Sequence, residues 1–147
     1  MGRRGPVCPF VPTSLKKNTI YMSVIRAGDG GVTTKEGMSE LVRSFAPIFD
    51  ELKPTKGRLV KHKAIILIFP DVEVADAPEL IDQVQLECKP DFVSRGLMLG
   101  EFHMANNAPG LRNPDFFPLR TPFPSLAIRH MVPTDLVFLQ LDGYVQV

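Results

Sequence analysis

Residues 63–70 read KAIILIFP, and the prediction of the fold starts from this stretch. An extended chain with this sequence is apolar on both faces, which is typical of a strand in the middle of a covered sheet. Three more segments on either side of it are predicted to be strands, because they are rich in β-branched and aromatic residues or are bounded by turn residues. They are residues 18–25, 97–103 and 126–131.

A first helix is predicted between the first two strands. Thr33 and Glu36 have the spacing of a capping box, which marks a helix start. Apolar residues then recur at steps of three and four as far as Leu52, so one side of this helix should pack on the sheet. Pro47 lies inside the segment and is expected to kink it.

Two further helices complete the layout. Asp76 is the expected N-cap of the second, which Pro90 should end or bend, and Pro133 lies in the first turn of a short third helix. The order β-α-β-α-β-loop-β-α predicts a single α+β domain over residues 1–147. We expect a mostly antiparallel sheet of about four strands, with the helices packed on one face.

The connection from Met104 to Ser125 is predicted to lack regular structure. It holds five of the chain's 14 prolines together with several phenylalanines. An irregular loop of this length in a compact domain is usually functional or disordered, and its apolar content argues against disorder. The sequence therefore predicts a long functional loop rich in proline and phenylalanine.

Composition argues against several classes of protein. The formal net charge is +1, from 17 basic and 16 acidic residues, so no strong field indicates a nucleic-acid or membrane partner. The longest apolar run has six residues, too few to span a bilayer, and the N-terminus lacks the apolar core of a secretory signal. We expect a cytoplasmic protein in which Cys8 and Cys88 are free thiols.

His103 is a candidate site residue at the end of the third predicted strand. Strand alternation places Glu101 on the same face, so an imidazole and a carboxylate point the same way. The alternative is a structural histidine at a strand end, bonded to a loop carbonyl.

Arg129 and His130 form a second polar pair, and alternation places them on opposite faces of the fourth strand. A buried arginine needs a carboxylate or an anion, because leaving it unpaired is costly. Asp135 is available as an internal partner, so an Arg129–Asp135 bridge and an anion-binding role both stay open.

Cys8 precedes Pro9, a local arrangement known from thiolate ligands of heme iron. The same dipeptide is equally consistent with a buried cysteine near a turn. His62 lies between two lysines and is expected to be solvated. The chain has no CxxC, HExxH or G-x-S-x-G motif and no spacing that predicts a zinc or non-heme iron site.

Three stretches together resemble a family of small bacterial heme proteins that hydroxylate nitrogen. They are VCPFVPTSLKKNTIYM (7–22), LGEFHMANNAPGLRNPDFFPLRTPFP (99–124) and SLAIRHMVPTDLVFL (125–139). Within that family the chain is most similar to the heme-dependent arginine hydroxylases of D-cycloserine biosynthesis. The resemblance covers most of the chain, from Val7 to about Leu139.

The resemblance implies a protoheme cofactor (heme b) and conversion of L-arginine to Nω-hydroxy-L-arginine with O₂ or peroxide, in antibiotic biosynthesis. It leaves the iron ligand open among His103, His130 and Cys8, and we prefer them in that order because His103 ends a strand that opens onto the apolar loop. Glu101 and Arg129 are the expected catalytic residues. Further expected contacts to heme are Phe102, Phe116, Arg112 and Arg120.

A homodimer is also expected, because so short a chain has difficulty enclosing both faces of a heme. A non-catalytic heme-sensing module that uses Cys8 as a reversible ligand is the alternative function. A domain without a cofactor, whose long loop binds a partner, is the third interpretation.

Overall fold

A four-stranded mixed sheet is the centre of the computed structural model, which describes residues 6–28, 34–141 and 143. Its strands are β1 (Ile20–Val24), β2 (Ala64–Ile68), β3 (Leu97–Phe102) and β4 (Ser125–His130). Their spatial order is β1-β2-β4-β3, with β1 parallel to β2 and β4 antiparallel to both of its neighbours. The predicted α+β class with a mostly antiparallel sheet is confirmed, and the KAIILIFP segment provides the inner strand β2.

Four helices accompany the sheet in the described part of the chain. They are α1 (Val11–Lys16), α2 (Lys35–Glu51), α3 (Gln83–Ser94) and α4 (Leu136–Leu141). A turn of π-helix, Pro78–Asp82, leads into α3, and short 3₁₀ turns lie at Val60–His62 and Pro133–Asp135. The sequence did not predict α1 or the first 3₁₀ turn.

Helix α2 begins one residue later than predicted. The hydroxyl of Thr34 accepts a hydrogen bond from the backbone N–H of Gly37 at 3.1 Å, which is the usual role of an N-cap. Thr33, the predicted start, lies outside the described residues. The helix continues through Pro47 and ends at Glu51.

The start of the second helical segment also differs from the prediction. Its N-cap position is Ala77, which makes no side-chain cap, and the carbonyl of Asp76 accepts backbone hydrogen bonds from Glu79 and Leu80. Pro90 lies inside α3 and does not end it.

Helices α2 and α3 pack on one face of the sheet and form the hydrophobic core there. The alternation of strand side chains sends every second residue of β2, β3 and β4 into this core. Its members on the three strands are Ile65, Leu67, Leu97, Leu99, Leu126 and Ile128. Among the described residues, the opposite face of the sheet carries no long helix, so the segments that cover it decide where a ligand can bind.

The loop from His103 to Pro124 is folded by its own hydrogen bonds rather than by helix or strand. The N–H of Gly110 donates to the carbonyl of Phe116 at 2.7 Å, and the two ends of the loop meet where the N–H of His103 donates to the carbonyl of Leu119. Arg120 crosses it to the carbonyl of Asn106. The loop is therefore compact.

Within the described ranges, none of the helices has the length and apolarity needed to cross a bilayer.

Candidate functional site

Small side chains occupy the middle of the sheet face that lies opposite α2 and α3. The register aligns Ile66 with Ala127 and Gly100 in one row across the sheet, and Ala64 with Arg129 in the next. Because alanine and glycine project little above the backbone, they leave a shallow trough along β2 and β4.

The N-terminal segment and part of the long loop close this trough into a cavity of about 480 Å³. That volume lies within the range of about 300–1,000 Å³ that is usual for small-molecule sites. The wall away from the sheet is formed by Pro6, Val7, Cys8, Phe10, Val11, Ser14, Pro118 and Thr121, and Phe102 closes the end of β3. The lining is predominantly apolar, and Lys61, Lys63, His62 and Arg129 are its ionisable nitrogen groups.

Cys8 contributes a thiol to the cavity wall. It is half-buried and free, and its carbonyl accepts a hydrogen bond from the N–H of Val11 where α1 begins. Cys88, the other cysteine, is also free but lies in the core beneath α2, where burial raises the pKa of its thiol. Of the two cysteines, only Cys8 lines the cavity.

His62 also lines the cavity, which the sequence did not predict. Its ring packs against Phe10 with a centroid distance of 5.5 Å. Its Nδ1 is buried and has no hydrogen-bond partner among the residues that the structure describes. The expectation of a solvated histidine is wrong, because the 3₁₀ turn at Val60–His62 contacts α1. The one sequence signal for the burial of His62 was its position just before the predicted central strand.

His103 lies on the helix side of the sheet rather than at the cavity. It is fully buried, and its Nε2 is 2.8 Å from Oδ1 of Asp82, at the point where the π-turn passes into α3. The second ring nitrogen, Nδ1, is buried without a partner among the described residues. Glu101 is two residues before His103 and follows Leu97 and Leu99, which enter the core, so alternation places it on this side as well.

Arg129 makes the internal bridge that the sequence left open. Its two terminal nitrogens are 2.7 and 2.6 Å from the carboxylate oxygens of Asp135, a bidentate pair. Asp135 is buried and also accepts from the N–H of Val132 at 2.8 Å, which fixes the start of the last helical segment. Arg129 lines the cavity at the same time, and its side chain is 33% exposed.

His130 points away from Arg129, as predicted, and packs in the helix-side core. Its ring centroid is 5.0 Å from that of Phe49 in an edge-to-face arrangement. Burial, and then the charge of Lys63, hold the pKa of His130 below its usual value. A neutral imidazole in this place contacts the core and not the cavity.

The remaining predicted contact residues lie on the long loop and do not line the cavity. Arg120 stacks on Phe117 at 4.0 Å and donates to the side-chain oxygen of Asn107 at 2.8 Å, so it braces the loop. Phe116 packs against Gly110, where a Cβ would approach the ring to 3.3 Å. Arg112 is exposed to solvent.

The structure thus brings together Cys8, Phe102 and Arg129 of the predicted residues and adds His62 and Phe10. No group of three or more His, Cys, Asp or Glu side chains in the described segments could hold a bare metal ion. The cavity instead offers one soft sulfur ligand, aromatic rings and cations. This set of groups suits a flat apolar molecule that carries acidic substituents and is coordinated by one side chain of the protein.

Comparison with known proteins gives one match. A family model described as a domain of unknown function, DUF6875, matches residues 1–145. No curated protein and no solved structure matches the chain.

Proposed function

The chain belongs to the DUF6875 family, and from this premise we propose that it is a heme-dependent N-hydroxylase that converts L-arginine to Nω-hydroxy-L-arginine. The family description names no activity, so the proposal rests on the cavity and on the sequence resemblance. The observation that carries it is an apolar cavity of about 480 Å³ on the sheet face, with a free cysteine in its wall. A role in D-cycloserine biosynthesis comes with the resemblance alone.

The residues of the cavity fit a heme. Phe10 and Phe102 offer aromatic surface to a porphyrin, and the alanines and glycine of the sheet leave room for a flat ring. Lys61 and Arg129 are the cations that would pair with propionates or with the carboxylate of an amino-acid substrate. This arrangement provides the apolar surface that a porphyrin needs and the cations that its propionates need.

Cys8 is the iron ligand that the geometry favours. His103 and His130 both lie on the helix side of the sheet. There His103 contacts Asp82, and His130 packs against Phe49. Cys8 is the one of the three candidates that lines the cavity. The order of preference that the sequence suggested is therefore reversed in this proposal.

A bound heme supplies the activation of O₂ or peroxide, and a thiolate ligand favours cleavage of the O–O bond. The chain's own contribution is to hold the Cys8 sulfur, to exclude water with apolar walls, and to orient the substrate. The choice of a guanidine as substrate rests on the resemblance. Glu101, an expected catalytic residue, does not line the cavity.

Absorption spectra of heme-loaded protein test the ligand. Wild type should show a Soret band, with the red-shifted ferrous–CO band that marks thiolate ligation. Cys8→Ser should lose that red shift, while His103→Ala and His62→Ala should keep it. A Cys8→Ser variant with an unchanged ferrous–CO spectrum would overturn the assignment, and a protein that binds no heme would overturn the proposed function.

A second experiment tests the cavity itself. Ala127→Phe fills the middle of the trough and should abolish heme binding without unfolding the protein, because the alanine faces the cavity. Ala108→Phe is the matched control, since Ala108 is exposed on the long loop. Equal heme binding by the two variants would place the cofactor elsewhere. Incubation with L-arginine and peroxide should then add one oxygen to arginine in wild type only when heme is bound.

A non-catalytic heme sensor is the alternative function, favoured by the position of Cys8 in the N-terminal segment, outside the helices and strands. A ligand on such a segment can be exchanged more readily than one on a strand. The sensor predicts reversible Soret changes and no oxygen added to L-arginine or to related guanidines.

A further inference from the structure

Cations are concentrated at one end of the sheet, although the net charge of the chain is close to zero. Residues 6–28 and 52–70 contain no aspartate or glutamate. These two segments meet where β1 and β2 begin, and we call the exposed cations at that end the basic surface. Its members are Lys16, Lys17, Lys53, Lys56, Arg58 and Lys61.

Three members of the basic surface line a groove at this end of the sheet. Lys17, Lys53 and Lys56 line this groove, whose volume is about 430 Å³. The hydroxyl of Tyr21 donates to the carbonyl of Lys53 at 2.8 Å, which ties the turn after α2 to β1. Lys61 belongs to the cavity lining, so the cations extend from the groove to the proposed heme site.

These cations lack the ion pairs that several other exposed cations form. Arg26, Arg43 and Arg95 each form an ion pair with an aspartate at 3.1 Å or less. Within the described residues, no member of the basic surface forms an ion pair. The nearest carboxylates along the chain are those of Asp50, which Arg95 holds at 2.8 Å, and Glu51.

A local excess of unpaired charge produces a field that attracts an oppositely charged partner and accelerates its association. Such clusters destabilise the folded protein through mutual repulsion. Their presence beside a cavity therefore indicates that they bind a partner. The partner must be acidic, and it must approach the end of the sheet where Lys61 joins the cavity lining.

We propose that the basic surface docks a small acidic electron-transfer protein, of the iron–sulfur or flavin class, that reduces the heme of the proposed function. The inference rests on that function. Hydroxylation with O₂ requires two electrons and two protons for each arginine: one oxygen atom forms the N–O bond, and the other leaves as water. The carrier protein is the source of both electrons, in two one-electron transfers.

The shape of the basic surface favours a compact protein over a polyanion. Binding of nucleic acid relies on cations placed along an extended track of phosphates. Here the cations gather around one groove, and acidic residues such as Asp71, Glu73 and Asp76 follow β2 at its opposite end. A small protein with one acidic face matches a localised patch of this kind.

Binding of a plant-type [2Fe–2S] ferredoxin, used as the probe, tests the proposal on the full chain with and without heme. Wild type should bind it with an affinity that falls as salt is raised, and Lys53→Glu/Lys56→Glu should weaken binding at low salt by about tenfold or more. Arg26→Glu/Lys35→Glu is the matched control, with the same change in net charge at the other end of the molecule, and should bind within about twofold of wild type.

The outcomes separate the inference from the proposed function. Stopped-flow reduction of the heme by the ferredoxin should slow in the Lys53→Glu/Lys56→Glu variant and not in the control. A protein that shows a Soret band and oxidises arginine with peroxide, yet binds the ferredoxin equally in all variants, would overturn the docking site and leave the function standing. Binding of duplex DNA or phosphatidylserine vesicles in place of the ferredoxin would also overturn it.

Discussion

His103 shows how one side chain serves the fold. It is fully buried, and its Nε2 contacts Asp82, which precedes α3. Its backbone N–H and its carbonyl each form a hydrogen bond with the long loop. Such a histidine connects the end of β3 to the start of α3. Its removal should therefore affect stability more than cofactor chemistry.

We predict that His103→Ala lowers the free energy of unfolding by about 2 kcal/mol, because it leaves a void and removes a buried hydrogen bond. Urea unfolding measures the change, and a double-mutant cycle with Asp82→Asn isolates the contact between the two side chains. If His103→Ala instead kept its stability and lost the Soret band, His103 would be the iron ligand.

His130 predicts how stability depends on pH. Its pKa in the folded state lies below its usual 6.5, because burial and then Lys63 disfavour the charged ring, with Asp50 acting in the opposite direction. The unfolded chain therefore binds more protons between the two pKa values, so stability rises with pH through this window and is lost on acidification below about 6.5.

We predict that His130→Gln reduces this dependence. The free energy of unfolding, measured by urea titration from neutral to mildly acidic pH, should fall less steeply in the variant than in wild type. Identical slopes below pH 6.5 would show that His130 does not titrate in the core.

At the scale of the element, helix α2 illustrates how both ends of a helix are satisfied. Thr34 caps its first turn through Gly37. At the other end the ammonium of Lys63 donates to the carbonyls of Phe49 and Leu52, each at 2.7 Å. A cation at this end also complements the helix dipole. Burial lowers the pKa of Lys63, so the hydrogen bonds offset a cost of desolvation.

We predict that Thr34→Ala lowers the free energy of unfolding by about 1 kcal/mol, because the N–H of Gly37 loses its acceptor. Thr34→Ser keeps the oxygen and is the control, which should lie close to wild type. Thermal or urea unfolding measures both variants. Equal losses would mean that the methyl group, and not the hydroxyl, stabilises the start of α2.

At the scale of the whole molecule, the two faces of the sheet differ. The helix side is closed by α2 and α3, while in the described part of the chain the other side is covered by the N-terminal segment, α1 and part of the long loop. Apolar side chains remain exposed on that second side: Met22 is 69% exposed and Val24 56% exposed on the edge strand β1. An apolar surface of this kind is a candidate for association.

The homodimer expected from the sequence stays a prediction, and this face is where we expect it. Sedimentation velocity should give a dimer at micromolar concentration, and Met22→Glu should shift it towards monomer. Met104→Glu, at an apolar residue of the long loop that is also exposed, is the control and should leave the dimer intact. A monomeric wild type at the same concentration would contradict the prediction.

Periodic patterns in the sequence predicted the elements that depend on neighbouring residues. The apolar KAIILIFP segment does form an inner strand, and the period of two correctly placed Arg129 and His130 on opposite faces of β4. Helix α1 was not predicted because its six residues, one of them a proline, are too few to show a recognisable helical period. Helix α3 continues through Pro90, against a local rule, because packing on β3 holds it in place.

The sequence by itself determined the α+β class, the four strands and the internal partner offered to Arg129, since each follows from residues within a few positions of one another. Only the tertiary structure decided the parallel pairing of β1 with β2, the contact of His103 with Asp82, and the meeting of Cys8, His62 and Arg129 in one cavity. These contacts join residues far apart in the chain. Burial of apolar surface selects these contacts over those of other compact folds. The spacing of residues along the sequence does not predict them.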